Sequence, residues 1–182
     1  MGATALLEVD FQGWIVDLAH DRTVTKRARA TRDHWRAQGA SVFCLRYLDA
    51  GDGPRADPTS RDVAFDPALA PEPGDIVLSK ATRDAFDNPD LHANLQLRAV
   101  RNVVIDGLLT DHGVFVTAIS AHRLGYDVTV VGDACASSTL RDHDRALAAM
   151  RAEGIRVAPA ARRSTVGAST DGSRPLRRCC RE

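Results

Sequence analysis

The chain has 182 residues, of which 44% are hydrophobic and 26% charged, and its formal net charge at pH 7 is +0. These values are typical of one globular domain with a substantial core. A balanced charge argues against capture of nucleic acid or of an acidic membrane surface, and no apolar run is long enough to span a bilayer. The N-terminus lacks the pattern of a signal peptide. We therefore expect a cytoplasmic protein that binds neither nucleic acid nor membrane.

Short apolar strands alternate with helices along the chain. Strands are predicted at Thr4–Val9, Ser41–Leu45, Asp75–Ser79, Asn102–Ile105, Val128–Val131 and Ile155–Val157. Helices are predicted at Asp21–Gln38, Thr110–Leu124 and Ser138–Glu153, each followed by a glycine suited to a helix end. Strands that are almost continuously apolar are usually covered on both faces, as in parallel sheets. The pattern predicts an α/β fold, a doubly wound (Rossmann-like) three-layer sandwich whose mainly parallel sheet has about six strands.

The organisation of the chain predicts one domain over residues 1–158 and a flexible basic tail over residues 159–182. The tail is rich in arginine, and it is either a solvated end or a segment that binds an acidic partner. Within the domain, the loop Asp49–Gly74 is rich in Pro, Gly and Asp and is too long for a plain turn. A loop of that length in a compact domain is often functional.

The cysteines and histidines do not form a pattern of metal ligands. Cys44 and Cys135 lie in apolar segments and are predicted to be buried thiols, whereas Cys179 and Cys180 lie in the polar tail. Cys179 and Cys180 do not have a metal-ligand spacing with any histidine. The remaining candidates make no convincing set: Asp17, His20 and His34. We expect no metal and no cofactor.

Two charged residues stand where strands of the predicted sheet end. Ligands of such folds bind outside the carboxyl ends of the strands. The first strand ends in Asp10, and the strand Asp75–Ser79 runs into Lys80. A carboxylate and an ammonium that converge there can form an acid–base pair, and helix-start N–H groups near Gly113 can stabilise an anion. The plain alternative is that Asp10 is a cap and Lys80 only neutralises it.

An ordered set of segments resembles the isochorismatase-like hydrolases. Thr4–Gln12 (TALLEVDFQ) is similar to the family's opening strand, Ala68–Lys80 to its Pro-rich lead-in to a strand ending in Lys, and Gly107–Ala118 to its nucleophile segment. Ala85–Phe86 resembles its Ser-Ala-Phe element, with Asp84 where Ser is usual. The resemblance implies a doubly wound parallel sheet, a homo-oligomer (dimer or tetramer) and a small-molecule substrate. Most members hydrolyse small amides with an Asp–Lys–Cys triad.

The resemblance places the triad aspartate at Asp10, the lysine at Lys80 and the cysteine at Gly113. Glycine cannot attack a carbonyl, so the covalent route through this position is closed. True isochorismatases resemble this sequence in having glycine there, and they cleave a vinyl ether to release pyruvate without a covalent intermediate. By this analogy Asp10 is the general acid and Lys80 binds or orients the substrate. Tyr47–Pro54 lacks the Gln-Pro-Gly element of those enzymes, which favours a related substrate from secondary metabolism over isochorismate itself.

Further residues are candidates for contact with the substrate. They are Gln12, Trp14, Leu109, Thr110 and His112. Gln12 is alternatively a turn residue, and Trp14 a core residue. His112 is alternatively a helix-start residue that faces solvent or a neighbouring subunit. The resemblance also implies a cis peptide bond between Leu109 and Thr110.

Two other functions stay open from the sequence alone. The chain is alternatively a decayed member of the family that binds a ligand or acts as a scaffold, which Asp84 and Gly113 favour and the presence of both Asp10 and Lys80 argues against. It is alternatively an amidase in which Gly113 is an engineered or recent change. An enzyme should keep Asp10 and Lys80 in contact beside a cavity, whereas a decayed site need not.

Overall fold

A computed structural model of the protein describes residues 2–160. In that range the chain alternates between strands and helices, with short 3₁₀ turns in the long loop and after β3. The elements are β1 (Ala3–Val9), α1 (Gly13–Val16), α2 (Val24–Ala37), β2 (Ser41–Tyr47), β3 (Ile76–Lys80), α3 (Pro89–Leu97), β4 (Val100–Leu108), a π-helical turn (Thr110–Val114), α4 (Phe115–Arg123), β5 (Asp127–Ala136), α5 (Leu140–Ala152) and β6 (Arg156–Ala158).

The six strands form one parallel sheet in the order β3-β2-β1-β4-β5-β6. Val9 at the end of β1 pairs with Leu45 of β2 on one side and with Gly107 of β4 on the other. The strand order reverses between β1 and β4, which makes their carboxyl ends the switch point of the sheet, where α/β folds bind ligands. The predicted doubly wound α/β fold is confirmed.

Helices cover both faces of the sheet and create two apolar layers. Alternate residues of β1 serve the two layers, since Leu7 packs with α3, α4 and α5 while Leu6 packs with α1 and α2. The first layer includes Leu91, Leu95, Ala118, Ala121, Leu147 and Met150. The second includes Ile15, Val16, Val24, Ala28, Val104 and Leu108. The three-layer arrangement follows from strands that are apolar on both faces.

A buried ion pair fixes α2 and the end of the long loop to the sheet. Arg32 on α2 donates from Nε to Glu8 on β1 at 2.9 Å, and both side chains are 1–2% exposed. The same guanidinium donates to the carbonyl oxygens of Leu69 and Ala70, each at 2.9 Å. The loop that leads into β3, and so to Lys80, is therefore anchored by hydrogen bonds as well as by apolar contacts.

The structure differs from the sequence predictions mainly at element ends. Thr110 begins a π-helical turn, and the α-helix starts only at Phe115. The helices α1 and α3 were not predicted, because α1 has only four residues and neither is followed by a glycine that would mark a helix end. The predicted tail lies almost wholly outside the described residues. Within residues 2–160 no helix is long and apolar enough to cross a membrane.

Candidate active site

Asp10 and Lys80 form a buried ion pair at the carboxyl end of the sheet. Asp10 directly follows β1 and has a positive φ of 57°, a conformation that non-glycine residues seldom adopt outside functional or tightly constrained positions. Lys80 is the last residue of β3 and reaches past the end of β2. Its Nζ lies 2.7 Å from Asp10 Oδ2, and the two side chains are 2% and 7% exposed.

The ammonium group of Lys80 has a full set of acceptors. Besides Asp10, Nζ donates to the carbonyl oxygens of Thr82 at 3.1 Å and Arg83 at 3.4 Å. It also lies 5.2 Å from the centre of the Tyr47 ring, a cation–π distance. An ammonium has three protons to donate, so these contacts account for all of them. The lysine is thereby held in place beside Asp10.

Burial controls the protonation of Asp10. Loss of solvent raises the pKa of this carboxyl to about 6, although the charge and hydrogen bond of Lys80 act to lower it. The second oxygen, Oδ1, is buried and has no hydrogen-bond partner among the described residues. A carboxyl group with a pKa near neutrality and a free oxygen can both give and take a proton at physiological pH.

Gly113 lies directly against the carboxylate. A Cβ atom at this position would lie 3.0 Å from Asp10 Oδ2 and 3.1 Å from Val9 Cγ1. The π-helical turn that carries Gly113 is held from behind, because the hydroxyl of Thr110 lies 2.8 Å from His143 Nδ1 and the hydroxyl of Ser137 donates to Asp111 at 2.6 Å. The absence of a side chain at Gly113 therefore leaves the carboxylate unobstructed on this side.

A cavity of about 110 Å³ opens beside the ion pair. It is lined by Asp10, Trp14, Ile15, Leu18, Tyr47, Lys80, Arg83, Leu108, Leu109, His112 and Gly113. Trp14 is positioned by Tyr47, with ring centres 6.4 Å apart, and by the Arg55 guanidinium, 4.7 Å from the indole centre. Its Nε1 is buried without a partner among the described residues. The cavity thus has mostly apolar walls and a few polar groups, as small-molecule sites do.

Six of the eight predicted site residues lie together in this cavity lining. They are Asp10, Trp14, Lys80, Leu109, His112 and Gly113. Gln12 does not line it, because its buried amide donates to the carbonyl oxygens of Tyr47 at 2.9 Å and Val63 at 3.2 Å and accepts from Tyr47 N at 2.8 Å. Thr110 is buried and engaged with His143. The polar atoms of both residues are used inside the protein.

The cis peptide bond lies between Leu108 and Leu109, so the predicted position between Leu109 and Thr110 is wrong by one residue. The strand β4 extends to Leu108, and the chain changes direction immediately after it.

Asp84, which stands where the resemblance has serine, has a structural role. One of its oxygens accepts from Phe86 N at 2.9 Å and the other accepts from the hydroxyl of Ser120.

Sequence reasoning missed several residues of the cavity wall. Ile15 lies on α1, which was not predicted, and Leu18 lies just after it. Tyr47 is the last residue of β2. Arg83 follows Lys80 by three residues and is the exposed cation of the lining. A signal for Arg83 existed in the sequence, since a cation soon after the strand that ends in Lys80 falls at the same edge of the sheet.

The described cysteines lie outside this site, and Asp10 and His112 are its only described residues of a type that commonly binds metal ions. Cys44 and Cys135 are buried and do not line the cavity, and burial raises the pKa of both thiols. Within residues 2–160 no group of three or more His, Cys, Asp or Glu side chains is arranged to hold a metal ion. The expectation that the protein uses no metal or cofactor stays a prediction.

The fold and the site define an α/β domain with an acid–base pair at the switch point of its sheet. Comparison with known proteins assigns the family, since the Isochorismatase domain matches residues 4–162. The Bacillus subtilis isochorismatase family protein YddQ is 29% identical over 148 residues, which cover 78% of this chain and 82% of that one. The chain belongs to the isochorismatase family and is a hydrolase of that family.

Two further relatives differ in how much of their length matches. The crystal structure of an isochorismatase family protein from Desulfovibrio vulgaris superposes with a TM-score of 0.80 at 23% identity, covering 87% of this chain and 95% of that one, and so shows the same fold. The phenazine biosynthesis protein PhzD from Pseudomonas fluorescens is 33% identical over 93 residues, which cover 51% of this chain and 44% of that protein.

Proposed function

We propose that this protein hydrolyses a small polar metabolite at a vinyl ether or related bond, with Asp10 as the acid and without a nucleophilic thiol. The observation that carries the proposal is the contact between Gly113 and Asp10. At the position that the family resemblance assigns to the cysteine, the chain has a glycine. A Cβ atom at that position would lie 3.0 Å from Asp10 Oδ2. The group that lies directly against this position is then a carboxyl whose second oxygen has no hydrogen-bond partner among the described residues.

The chemistry of a vinyl ether suits such a site. Asp10 in its acid form donates a proton to the terminal carbon of the double bond, and the electron pair of that bond forms the new C–H bond. The adjacent ether carbon becomes an oxocarbenium ion. Water adds to that carbon as the Asp10 carboxylate takes one of its protons, which restores the acid. The resulting hemiketal breaks its bond to the leaving oxygen, which gains a proton as the hemiketal hydroxyl loses one, and a ketone and an alcohol are released.

The two neighbours of Asp10 have opposing effects that make this cycle feasible. Burial favours the protonated form, while Lys80 stabilises the carboxylate that exists after the proton has been donated. With a pKa of about 6, about one Asp10 in ten carries the proton at pH 7. Lys80 is in this view an orienting group for Asp10, which it contacts through Oδ2, while Oδ1 has no hydrogen-bond partner among the described residues.

The identity of the substrate is proposed only as a class. A cavity of about 110 Å³ suits a small group inserted beside Asp10, with the rest of the molecule at the opening. The similarity to a protein named for phenazine biosynthesis supports a place in secondary metabolism. Homo-oligomerisation and a cytoplasmic location stay predictions, and light scattering after size-exclusion chromatography tests the former.

The experiment is a measurement of pyruvate release from isochorismate and other enolpyruvyl vinyl ethers by the wild type, Asp10→Asn and Asp33→Asn. Asp33 is a carboxylate on the exposed side of α2 and is the matched control. We expect at least a hundredfold lower rate for Asp10→Asn and an unchanged rate for Asp33→Asn, because loss of a general acid typically costs 10²- to 10⁴-fold. Release that persists in Asp10→Asn refutes the acid role, and no release from any vinyl ether refutes this substrate class.

The two alternative functions predict other outcomes, in the assay of vinyl ethers and in an assay of small amides. A decayed, ligand-binding protein turns over no substrate in any variant, and the persistence of the Asp10–Lys80 contact beside an open cavity supports an enzyme instead. An amidase that has lost its thiol gains hydrolysis of small amides in Gly113→Cys and has no activity on vinyl ethers. Activity on amides in that variant alone would therefore replace the proposal made here.

A further inference from the structure

Three side chains with a formal charge line the cavity, and only one of them is free to bind a ligand ion. They are Asp10, Lys80 and Arg83. The Lys80 ammonium is saturated by Asp10 and the carbonyl oxygens of Thr82 and Arg83, at 2.7, 3.1 and 3.4 Å. The guanidinium of Arg83, in contrast, is exposed at the opening and has no carboxylate or carbonyl partner among residues 2–160. The cation available to a ligand is therefore Arg83.

We propose that the substrate carries a carboxylate and that Arg83, at the opening of the cavity, is the residue that recognises it. The proposal deepens the proposed function, on which it rests for the identity of the reacting end, because the bond to be cleaved then lies beside Asp10. In this proposal Lys80 orients Asp10 and does not bind the substrate, and Arg83 determines the preference for a carboxylate substrate. An arginine is suited to this task, since its planar fork binds a carboxylate through two parallel hydrogen bonds.

The charge balance of the cavity supports an anionic ligand. The titratable or charged groups that face Asp10 across the cavity are Lys80, Arg83, His112 and Tyr47. When Asp10 is protonated, as the acid step requires, the two cations Lys80 and Arg83 are left without a counter-charge in the lining. A bound carboxylate supplies that charge. Its field also favours the protonated form of Asp10, so that binding of the substrate and formation of the acid reinforce each other.

The apolar wall of the cavity strengthens the preference for a carboxylate over a neutral ligand. Trp14, Ile15, Leu108 and Leu109 keep water away from one side of the ligand, and electrostatic interactions strengthen where water is excluded. Trp14, whose Nε1 is a buried donor without a partner among the described residues, is part of this wall. A neutral amide of the same shape cannot form the charged pair with Arg83. Hydrogen bonds to a charged group give about tenfold or greater discrimination.

The test measures binding without turnover, so that it stands apart from catalysis. Pyruvate is compared with pyruvamide, and benzoate with benzamide, by calorimetric titration into the full chain. The proteins are wild type, Arg83→Gln, Arg83→Lys and Arg101→Gln. Arg101 is an exposed arginine on β4 near the amino end of the sheet, remote from Asp10, and is the control for loss of one positive charge. Asp10→Asn is included because it separates binding from the acid step.

We expect wild type and Arg101→Gln to bind at least one of the carboxylates about tenfold or more tightly than its amide, and Arg83→Gln to lose that preference. Arg83→Lys should keep part of it, because the charge is retained without the fork. A wild type that binds neither carboxylate more tightly than its amide, or an Arg83→Gln that keeps the preference, overturns the proposal. Asp10→Asn should keep the preference, so failure of the acid mechanism and failure of anion recognition give different results.

Discussion

Substitution of Gly113 by alanine tests whether the empty space beside Asp10 is required for function. The added Cβ would lie 3.0 Å from Asp10 Oδ2, 3.1 Å from Val9 Cγ1 and 3.5 Å from the carbonyl oxygen of Leu108, so the neighbours must give by a few tenths of an ångström. Oδ2 is also the atom that accepts from Lys80 at 2.7 Å. The carboxylate therefore cannot retreat without disturbing the ion pair.

The expected size of the changes in Gly113→Ala follows from two opposing effects on its free energy of unfolding and one effect on its catalytic rate. Overpacking of a dense site costs about 1–3 kcal/mol, whereas alanine in a helical turn is favoured over glycine by about 1 kcal/mol. We expect the free energy of unfolding to fall by about 0–2 kcal/mol. Because a misplacement of about 1 Å can cost a hundredfold in rate, displacement by a few tenths of an ångström should cost about tenfold.

The assay pairs the rate of product release with the midpoint of urea unfolding, for Gly113→Ala and Gly13→Ala. Gly13 begins α1 and has nothing within 4 Å of the place where its Cβ would be, so it controls for the change from glycine to alanine alone. Its rate should be unchanged and its stability equal or slightly higher. A Gly113→Ala protein with the full wild-type rate would refute the reasoning, because the contact with Asp10 would then have no bearing on catalysis.

Two further predictions concern charge. The rate of vinyl ether cleavage should be highest below pH 6 and fall as the pH rises through the Asp10 pKa of about 6, because the acid form is lost. Lys80→Met removes a cause that lowers this pKa, so the fall in rate should occur at higher pH in that variant. A fall at the same or at lower pH contradicts this prediction. Arg32→Met leaves Glu8 buried without its partner and should lower the free energy of unfolding by about 3–5 kcal/mol, against about 0–1 kcal/mol for Arg29→Met, whose ion pairs with Asp33 and Glu72 are both accessible to solvent. Urea unfolding of both variants measures the difference, and equal losses would contradict the second prediction.

The sheet was predictable because its strands carry their own signal. β1, β2 and β3 are runs of apolar residues, and the helices before β2, β5 and β6 end at glycines. The prediction for β4 stopped at Ile105 because Asp106 and Gly107 do not look like strand residues. In the structure both are buried and β4 continues to Leu108, with burial holding the pKa of Asp106 well above its usual range. A neutral carboxyl is less costly inside a sheet than a charged one.

The site was predictable only where strand ends place a residue. Asp10 and Lys80 follow from the rule that parallel strands present their carboxyl ends at one edge. Gln12 and Thr110 lie near that edge too, but their side chains turn inward to Tyr47, Val63 and His143, partners 33 to 51 residues away in sequence. No local pattern announces such a contact. The position of Arg83 at the same edge was open to the same rule, but the saturation of Lys80, which leaves Arg83 as the available cation, is visible only from the distances.

The residue at position 113 decides which form of Asp10 the proposed chemistry uses. With a cysteine there, a Cβ 3.0 Å from Oδ2 would bring a thiol proton within reach of the carboxylate, and Asp10 would have to be ionised to accept it. With glycine, no thiol stands at that place, and in the proposed mechanism the proton for the substrate comes from the carboxyl itself. A pKa of about 6 lies close enough to neutrality to serve either purpose. On this reasoning the buried pair with Lys80 is a common device, and the loss of one side chain beside it is enough to exchange base for acid.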